Sequence, residues 1–281
     1  MMERTYTDIK YQKDEQPGIV TVTLNRPERK NALDHYSFLE LFWAAEQMEQ
    51  DEKAGAMIIT GAVPPDNHDP TREAFSSGGN FDPAAYEKLS AEVKAQINLT
   101  DIAQKRFTVK MWELDKPVIA AVNGLAVGGG FTLCLSCADL VYASEHAWAE
   151  LPFVRLGIVP ELASTYILPR LLGFHKAKEV LFFEGRMPAR RLLELGLING
   201  VLPHEELLPY VWERALQLVP PKGAWQAIRM TKRAMNAPLI ESVKKALDAE
   251  NEGLNGAFGT VDFFEGLMAR RERRTPVFQG R

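Results

Sequence analysis

The 281-residue sequence predicts an α/β fold, on three observations. In the first half, short apolar or β-branched runs alternate with stretches of helical periodicity. Several of those runs end on glycine, proline or Asn-Gly breaks. Past Glu161 the periodicity becomes almost wholly helical. The expected organisation is an α/β body over residues 1–200 and a helical C-terminal part over 201–281, the former of ordinary domain size.

Taken in order, "GIVTVTL" (18–24) alternates like a strand and is broken by "NRP". From Asp34, an N-cap candidate, "HYSFLELFWAAEQMEQ" spaces its apolar residues three and four apart and predicts an amphipathic helix. "AMIITG" (56–61) reads as a buried strand, and "AVPPDNHDPTRE" (62–73) as a polar, proline-rich excursion. A helical pattern follows over 83–113, with a break near Asn98. "KPVIAAVNG" (116–124) and "DLVYAS" (139–144) predict two more strands on either side of the helix opened by "GGGFTLCLSCA". Beyond Glu161 the one strand is "GLINGVL" (196–202); the other segments, to Arg271, read as helices.

The composition narrows the classes of function. Hydrophobic residues at 46%, charged residues at 25% and a net charge of −4 describe an ordinary globular chain. There is no global basic field and no aromatic–basic stripe, so neither a nucleic-acid partner nor a membrane partner is expected. The basic run "ARRERR" (269–274) reads as a solvated helix end. The N-terminal "MMERTYTDIKY" lacks the apolar run of a signal peptide, and the C-terminal "VFQGR" is not a peroxisomal address, which makes the cytoplasm the expected location. Cys134 and Cys137 form a CxxC, but they sit in an apolar run with no second pair and read as small core side chains. The five histidines are scattered, so no metal site is expected.

Two glycine-rich turns stand out, "AFSSGGNF" (74–81) and "AVGGGFT" (126–132). Neither fits a dinucleotide or P-loop fingerprint. Glycines at a helix start let backbone approach a ligand and present unpaired N–H groups. Two such turns converging on one oxygen would make an oxyanion hole, each donor contributing about 2.7–4 kcal/mol; either turn alone reads equally as a packing corner. Glu161, alone among Ile158, Val159 and Leu162, follows Pro160 and by local physics belongs in the first turn of a helix.

Taken together, "LNRPERKNALD", "AFSSGGNF", "KPVIAAVNGLAVGGGFTL", "ADLVYAS" and the closing "RRERRTPVFQGR" resemble, in order and spacing, the crotonase (enoyl-CoA hydratase/isomerase) superfamily. The resemblance covers nearly the whole chain. It implies a spiral of ββα units, a helical C-terminal trimerisation region giving a homotrimer or a dimer of trimers, and an acyl-CoA thioester substrate. No cofactor is implied, since coenzyme A is part of the substrate. It also implies that the amides of Gly79 and Gly129 polarise the thioester carbonyl. Arg26, Lys30 and Ala32 would line the CoA path, and Ser77, Gly78, Asn80, Gly128, Thr132 and Phe153 would border the reacting group.

Hydratases of this superfamily use two glutamates, and here those positions hold Thr132 and Phe153. Glu161, four residues past Gly157, instead matches the acid of isomerases and dehalogenases. "LPFVRLGIVPELASTYILPRLLG" (151–173) looks most like a Δ3,Δ2-enoyl-CoA isomerase of the peroxisomal type. The resemblance therefore implies transfer of a proton from C2 to C4 of a 3-enoyl-CoA by Glu161 alone. Burial suits that task, because it raises the carboxyl pKa and strengthens the base. Phe131 and Phe153, beside the glycine turns, would help keep the site dry. Asn80 departs from the family's usual Asp, and Glu150 is a weaker candidate for a second acid. Alternatives are ring or dienoyl isomerisation, hydrolysis or dehalogenation with Glu161 as nucleophile, and a CoA-thioester binder without chemistry.

Overall fold

The structure, a computed structural model, describes residues 4–80 and 82–281. The first three residues, and Phe81 at the end of the first glycine-rich turn, lie outside the described residues.

In chain order the strands are β1 (Ile9–Asp14), β2 (Ile19–Leu24), β3 (Ala56–Gly61), β4 (Ala74–Ser76), β5 (Val118–Val122), β6 (Leu125–Val127), β7 (Leu140–Ser144), β8 (Trp148–Glu150), β9 (Met187–Pro188) and β10 (Gly200–Leu202). They form two sheets, ordered β1-β2-β3-β5-β7-β10 and β4-β6-β8-β9. The larger is parallel from β2 to β10, with β1 antiparallel at its edge; in the smaller, β4, β6 and β8 are parallel and β9 is antiparallel. Each of β3, β5 and β7 is thus followed by a short partner in the second sheet, and the chain spirals through this repeat as a crotonase-like fold.

Alternate residues of the central strands face opposite ways. Met57, Ile59, Ala120, Val122 and Val141 join the main core against the second sheet and the helices. Ile19, Ile58, Ile119 and Tyr142 pack instead on the helix Leu207–Leu216, through Leu207, Val211 and Ala215. The helices after residue 200 share these cores: Val243, Leu247, Leu254 and Phe263 belong to the main one.

The helix His35–Gln50 begins as expected, with the Asp34 carboxylate accepting from the amides of Tyr36 and Ser37. The helical pattern over 83–113 breaks near Asn98 as expected, and it breaks a second time before Ala91. It divides into Pro83–Glu87, Ala91–Lys94 and Lys105–Glu113. Local side-chain bonds account for the division: Asn98 Oδ1 takes the Thr100 amide, Asp101 takes the amides of Lys105 and Arg106, and Gln104 adopts a left-handed φ of 56°. The expected strand 196–202 contracts to β10. Cys134 and Cys137 are buried and free. Among the described residues no helix is long and apolar enough to cross a membrane.

Candidate active site

The parallel pairing of β4 with β6 brings the two glycine-rich turns side by side. Gly78 has φ +83°, and a Cβ there would overlap the Val127 carbonyl and lie 3.5 Å from the Gly129 nitrogen. Only glycine permits both that backbone conformation and that approach. The next residue, Gly79, bridges Leu33: the Leu33 amide donates to Gly78 O and the Asn80 amide to Leu33 O. Successive amides in extended chain point opposite ways, so the N–H of Gly79 faces away from Leu33. Gly129 is the first residue of the helix Gly129–Cys137, where an amide has no intrahelical acceptor. Among the described residues neither the Gly79 nor the Gly129 amide donates to a protein acceptor. Both glycines line the same two cavities, and so does Glu161.

Glu161 arrives by an unusual route. Its expected place in a first helical turn is corrected, because the helix starts at Ser164, after Leu162 and Ala163 at φ 57° and 59°. Left-handed backbone costs about 1–2 kcal/mol per non-glycine residue, and a bulky leucine is the least suited to it. The turn points the glutamate at the glycines: a Cβ on Gly129 would lie 2.6 Å from Glu161 Oε1. Among the described residues no donor bonds the carboxyl and no cation pairs with it. Burial, aided by the nearby Glu250 carboxylate, pushes its pKa up to about 8.

The larger cavity, about 500 Å³, is walled by Tyr36, Phe38, Tyr86, Phe258, Phe263 and Phe264, with Gly79, Gly129 and Glu161 among its lining. The smaller, about 250 Å³, runs past Ser77, Gly78, Gly128 and Phe153 to Arg270. Eight of the expected site residues therefore meet here: Glu161, Gly79, Gly129, Ser77, Gly78, Asn80, Gly128 and Phe153. Asn80 donates through Nδ2 to Asp34 Oδ2 at 3.1 Å, which explains its departure from aspartate, since a second carboxylate would repel the first.

Four of the expected site residues, Thr132, Arg26, Lys30 and Ala32, do not line these two cavities. Thr132 lines neither cavity; it is fully buried, with its hydroxyl turned back to Gly128 O at 3.3 Å. The Arg26 guanidinium is held by Asp8 and Asp34; Lys30 and Ala32 line neither cavity, and Lys30 O accepts the amide of the cavity residue Ser77 at 2.9 Å. Phe131 is buried in the main core, and Glu150 pairs with Arg155.

The sequence reading missed His35 and Tyr36, the C-terminal wall from Leu254 to Arg270, and Glu250. A signal for the last exists. Val243, Leu247, Glu250 and Leu254 recur at helical spacing, so an acid occupies a core position of an apolar stripe.

Two unpaired amides and an unpaired acid at the head of apolar cavities can hold a developing oxyanion while a proton moves beside it. On this fold, that arrangement defines a crotonase-like enzyme. Residues 14–281 match enoyl-CoA hydratase/isomerase, and the chain belongs to that family, whose chemistry is on acyl-CoA thioesters. A crotonyl-CoA hydratase of Syntrophomonas wolfei is 33% identical over 273 residues, 97% of this chain and 98% of the relative. A 1,2-epoxyphenylacetyl-CoA isomerase of Escherichia coli is 29% identical over 274 residues, 95% and 97% of the two chains. The crystal structure of an enoyl-CoA hydratase/isomerase from Pseudoalteromonas atlantica superposes with TM-score 0.80 at 27% identity, covering 97% of this chain and 100% of that one.

Proposed function

We propose that the protein is an acyl-CoA double-bond isomerase that converts 3-enoyl-CoA to 2-enoyl-CoA, with Glu161 as its single base. One observation carries this reading: the Glu161 carboxyl stands against the Gly129 oxyanion position, while the two positions that hold acids in hydratases carry a buried threonine and a phenylalanine. The thioester carbonyl is held by the amides of Gly79 and Gly129. The Glu161 carboxylate removes a proton from C2, and the electron pair moves into the carbonyl to leave a dienolate. The same carboxyl, now protonated, returns that proton to C4, and the electrons settle as a C2–C3 double bond. No water and no second acid take part, which matches the apolar lining. The reading includes self-association as a trimer or a pair of trimers, supported by exposed Met230, Met235, Phe264, Met268 and Phe278 on the C-terminal segments.

The aromatic wall of the larger cavity favours, as a second reading, a bulky or aromatic acyl group and ring isomerisation on the same machinery. The Escherichia coli relative, a 1,2-epoxyphenylacetyl-CoA isomerase, points the same way.

The test is spectrophotometric. Short and long 3-enoyl-CoA thioesters are offered to the wild type and to Glu161→Gln, and the conjugated product is followed. The wild type is expected to turn over, with the variant slower by about 10²–10⁴-fold. A wild type that binds acyl-CoA but conjugates none of these substrates overturns the isomerase reading and moves attention to ring substrates. A trapped covalent adduct on Glu161 would instead establish a nucleophile.

A further inference from the structure

We propose that Glu250 is the positioning residue for Glu161: from the helix Ile240–Ala257 its carboxylate clamps the left-handed turn Leu162–Ala163 and so holds the Glu161 carboxyl against Gly129. The inference deepens the isomerase reading, on which it rests for the role of Glu161 as a base, though not for the geometry.

Glu250 is 1% exposed, and among the described residues it pairs with no cation. Its hydrogen bonds go instead to the segment that follows Glu161. Oε2 accepts the Ala163 amide at 2.7 Å, and Oε1 accepts the amide and the hydroxyl of Thr165 at 2.9 and 2.5 Å. The same helix secures the other side of the turn. Asn251 Oδ1 accepts the Ala103 amide at 2.7 Å, and Ala103 O accepts the Leu162 amide at 3.3 Å. Two consecutive non-glycine residues in left-handed conformation persist only where surrounding bonds over-determine them, and these bonds do so.

The donor set explains why the residue is an acid. Both carboxylate oxygens face N–H donors, so glutamine would turn its amide nitrogen toward one of them. An acid here also sets a like charge near Glu161, which disfavours ionisation of both. The other charged or titratable groups around the pair are Asp34, His35, Tyr36, Asp82, Tyr86 and Glu87 on the larger cavity and Arg270 on the smaller. On the helix Lys105–Glu113, which packs on that of Glu250, Lys105 pairs with Asp248.

The experiment is a carboxyl ¹³C NMR titration of the full chain labelled at glutamate Cδ, with resonances assigned through Glu161→Gln and Glu250→Gln. In the wild type, Glu161 is expected to titrate near 8, in two steps that report ionisation of its neighbour and then its own. In Glu250→Gln the Glu161 midpoint is expected to fall by about one pH unit. The pH–rate midpoint should fall with it, kcat dropping while KM holds. A folded Glu250→Gln with the Glu161 midpoint and kcat unmoved overturns the proposal. Should that variant fail to fold, the wild-type titration decides: a single Glu161 step near 4.5 overturns the clamp, and a two-step curve sustains it. The titration needs no turnover, so a wild type that shows the coupling but conjugates no enoyl-CoA loses the reaction and keeps the clamp.

Discussion

Glu161 and Gly129 are so close that a Cβ on the glycine would lie 2.6 Å from Glu161 Oε1, and among the described residues outside its own helix only that carboxyl comes within 4 Å of it. The acid and the first amide of the helix Gly129–Cys137 thus share one small space. Gly129→Ala is therefore expected to leave the fold intact, since the only obstruction is the end of a side chain, and alanine is the better helix former by about 1 kcal/mol. Its activity on 3-enoyl-CoA should fall by about 10²-fold, the effect of an ångström's displacement of a catalytic group. Unchanged thermal unfolding with lost turnover is the signature; full activity would separate the carboxyl from the chemistry.

Burial, with the neighbouring Glu250 charge, sets the Glu161 pKa at about 8, against 4.5 for an ordinary glutamate. The base form grows in with rising pH, so kcat/KM is expected to climb through about 8 before levelling. A profile already flat above pH 6 would contradict this.

The same shift has a consequence for stability. Between 4.5 and about 8 the unfolded chain has released this proton and the folded chain still holds it, so stability falls as pH rises through that window. Glu161→Gln removes the effect. Its melting temperature should exceed that of the wild type by at least about 2 °C at pH 8 to 9, the gap closing toward pH 4.5. Equal gaps across the range would refute the assignment.

Gly78 combines φ +83° with a backbone carbonyl where a Cβ would sit. A rigid neighbour cannot yield as a side chain does, so Gly78→Ala should cost about 3 kcal/mol or more, well above an ordinary substitution. Urea unfolding would show a lower midpoint; a loss below about 1 kcal/mol would mean the turn relaxes freely.

Asn80 donates to Asp34 Oδ2, and together with Arg26 it holds the Asp34 carboxyl below its usual range against the opposing effect of burial. Asn80→Asp replaces a donor with a second carboxylate. The pair should then retain a proton, destabilising the fold by about 1–3 kcal/mol at pH 7 and recovering as pH falls toward 5. Thermal melts across that range test it; a pH-independent loss would point to geometry rather than charge.

Much of this was legible in the chain. The strands 18–24, 56–61 and 139–144, the Asp34 cap and the two glycine turns are local signals, carried by alternation, turn chemistry and spacing. The second sheet was not, because strands of two or three residues, such as β6 and β9, carry no periodicity. In the region 83–113 the break near Asn98 was legible, but its length was not: Asn98 and Asp101 bond backbone amides locally, so the chain between Lys94 and Lys105 stays out of the helix. Thr132 follows the glycine turn in sequence but is turned into the helix, away from the cleft.

The sequence by itself determined the fold class, the pair of glycine turns and the isolated acid at 161, since these depend on residue type and short spacing. Only the tertiary structure decided where that acid points. The left-handed turn at Leu162–Ala163 is unfavourable on its own and exists because Glu250, 87 residues away, and Ala103 bond its amides. Long-range hydrogen bonds can impose a backbone conformation that local preference opposes, and no window of sequence contains them.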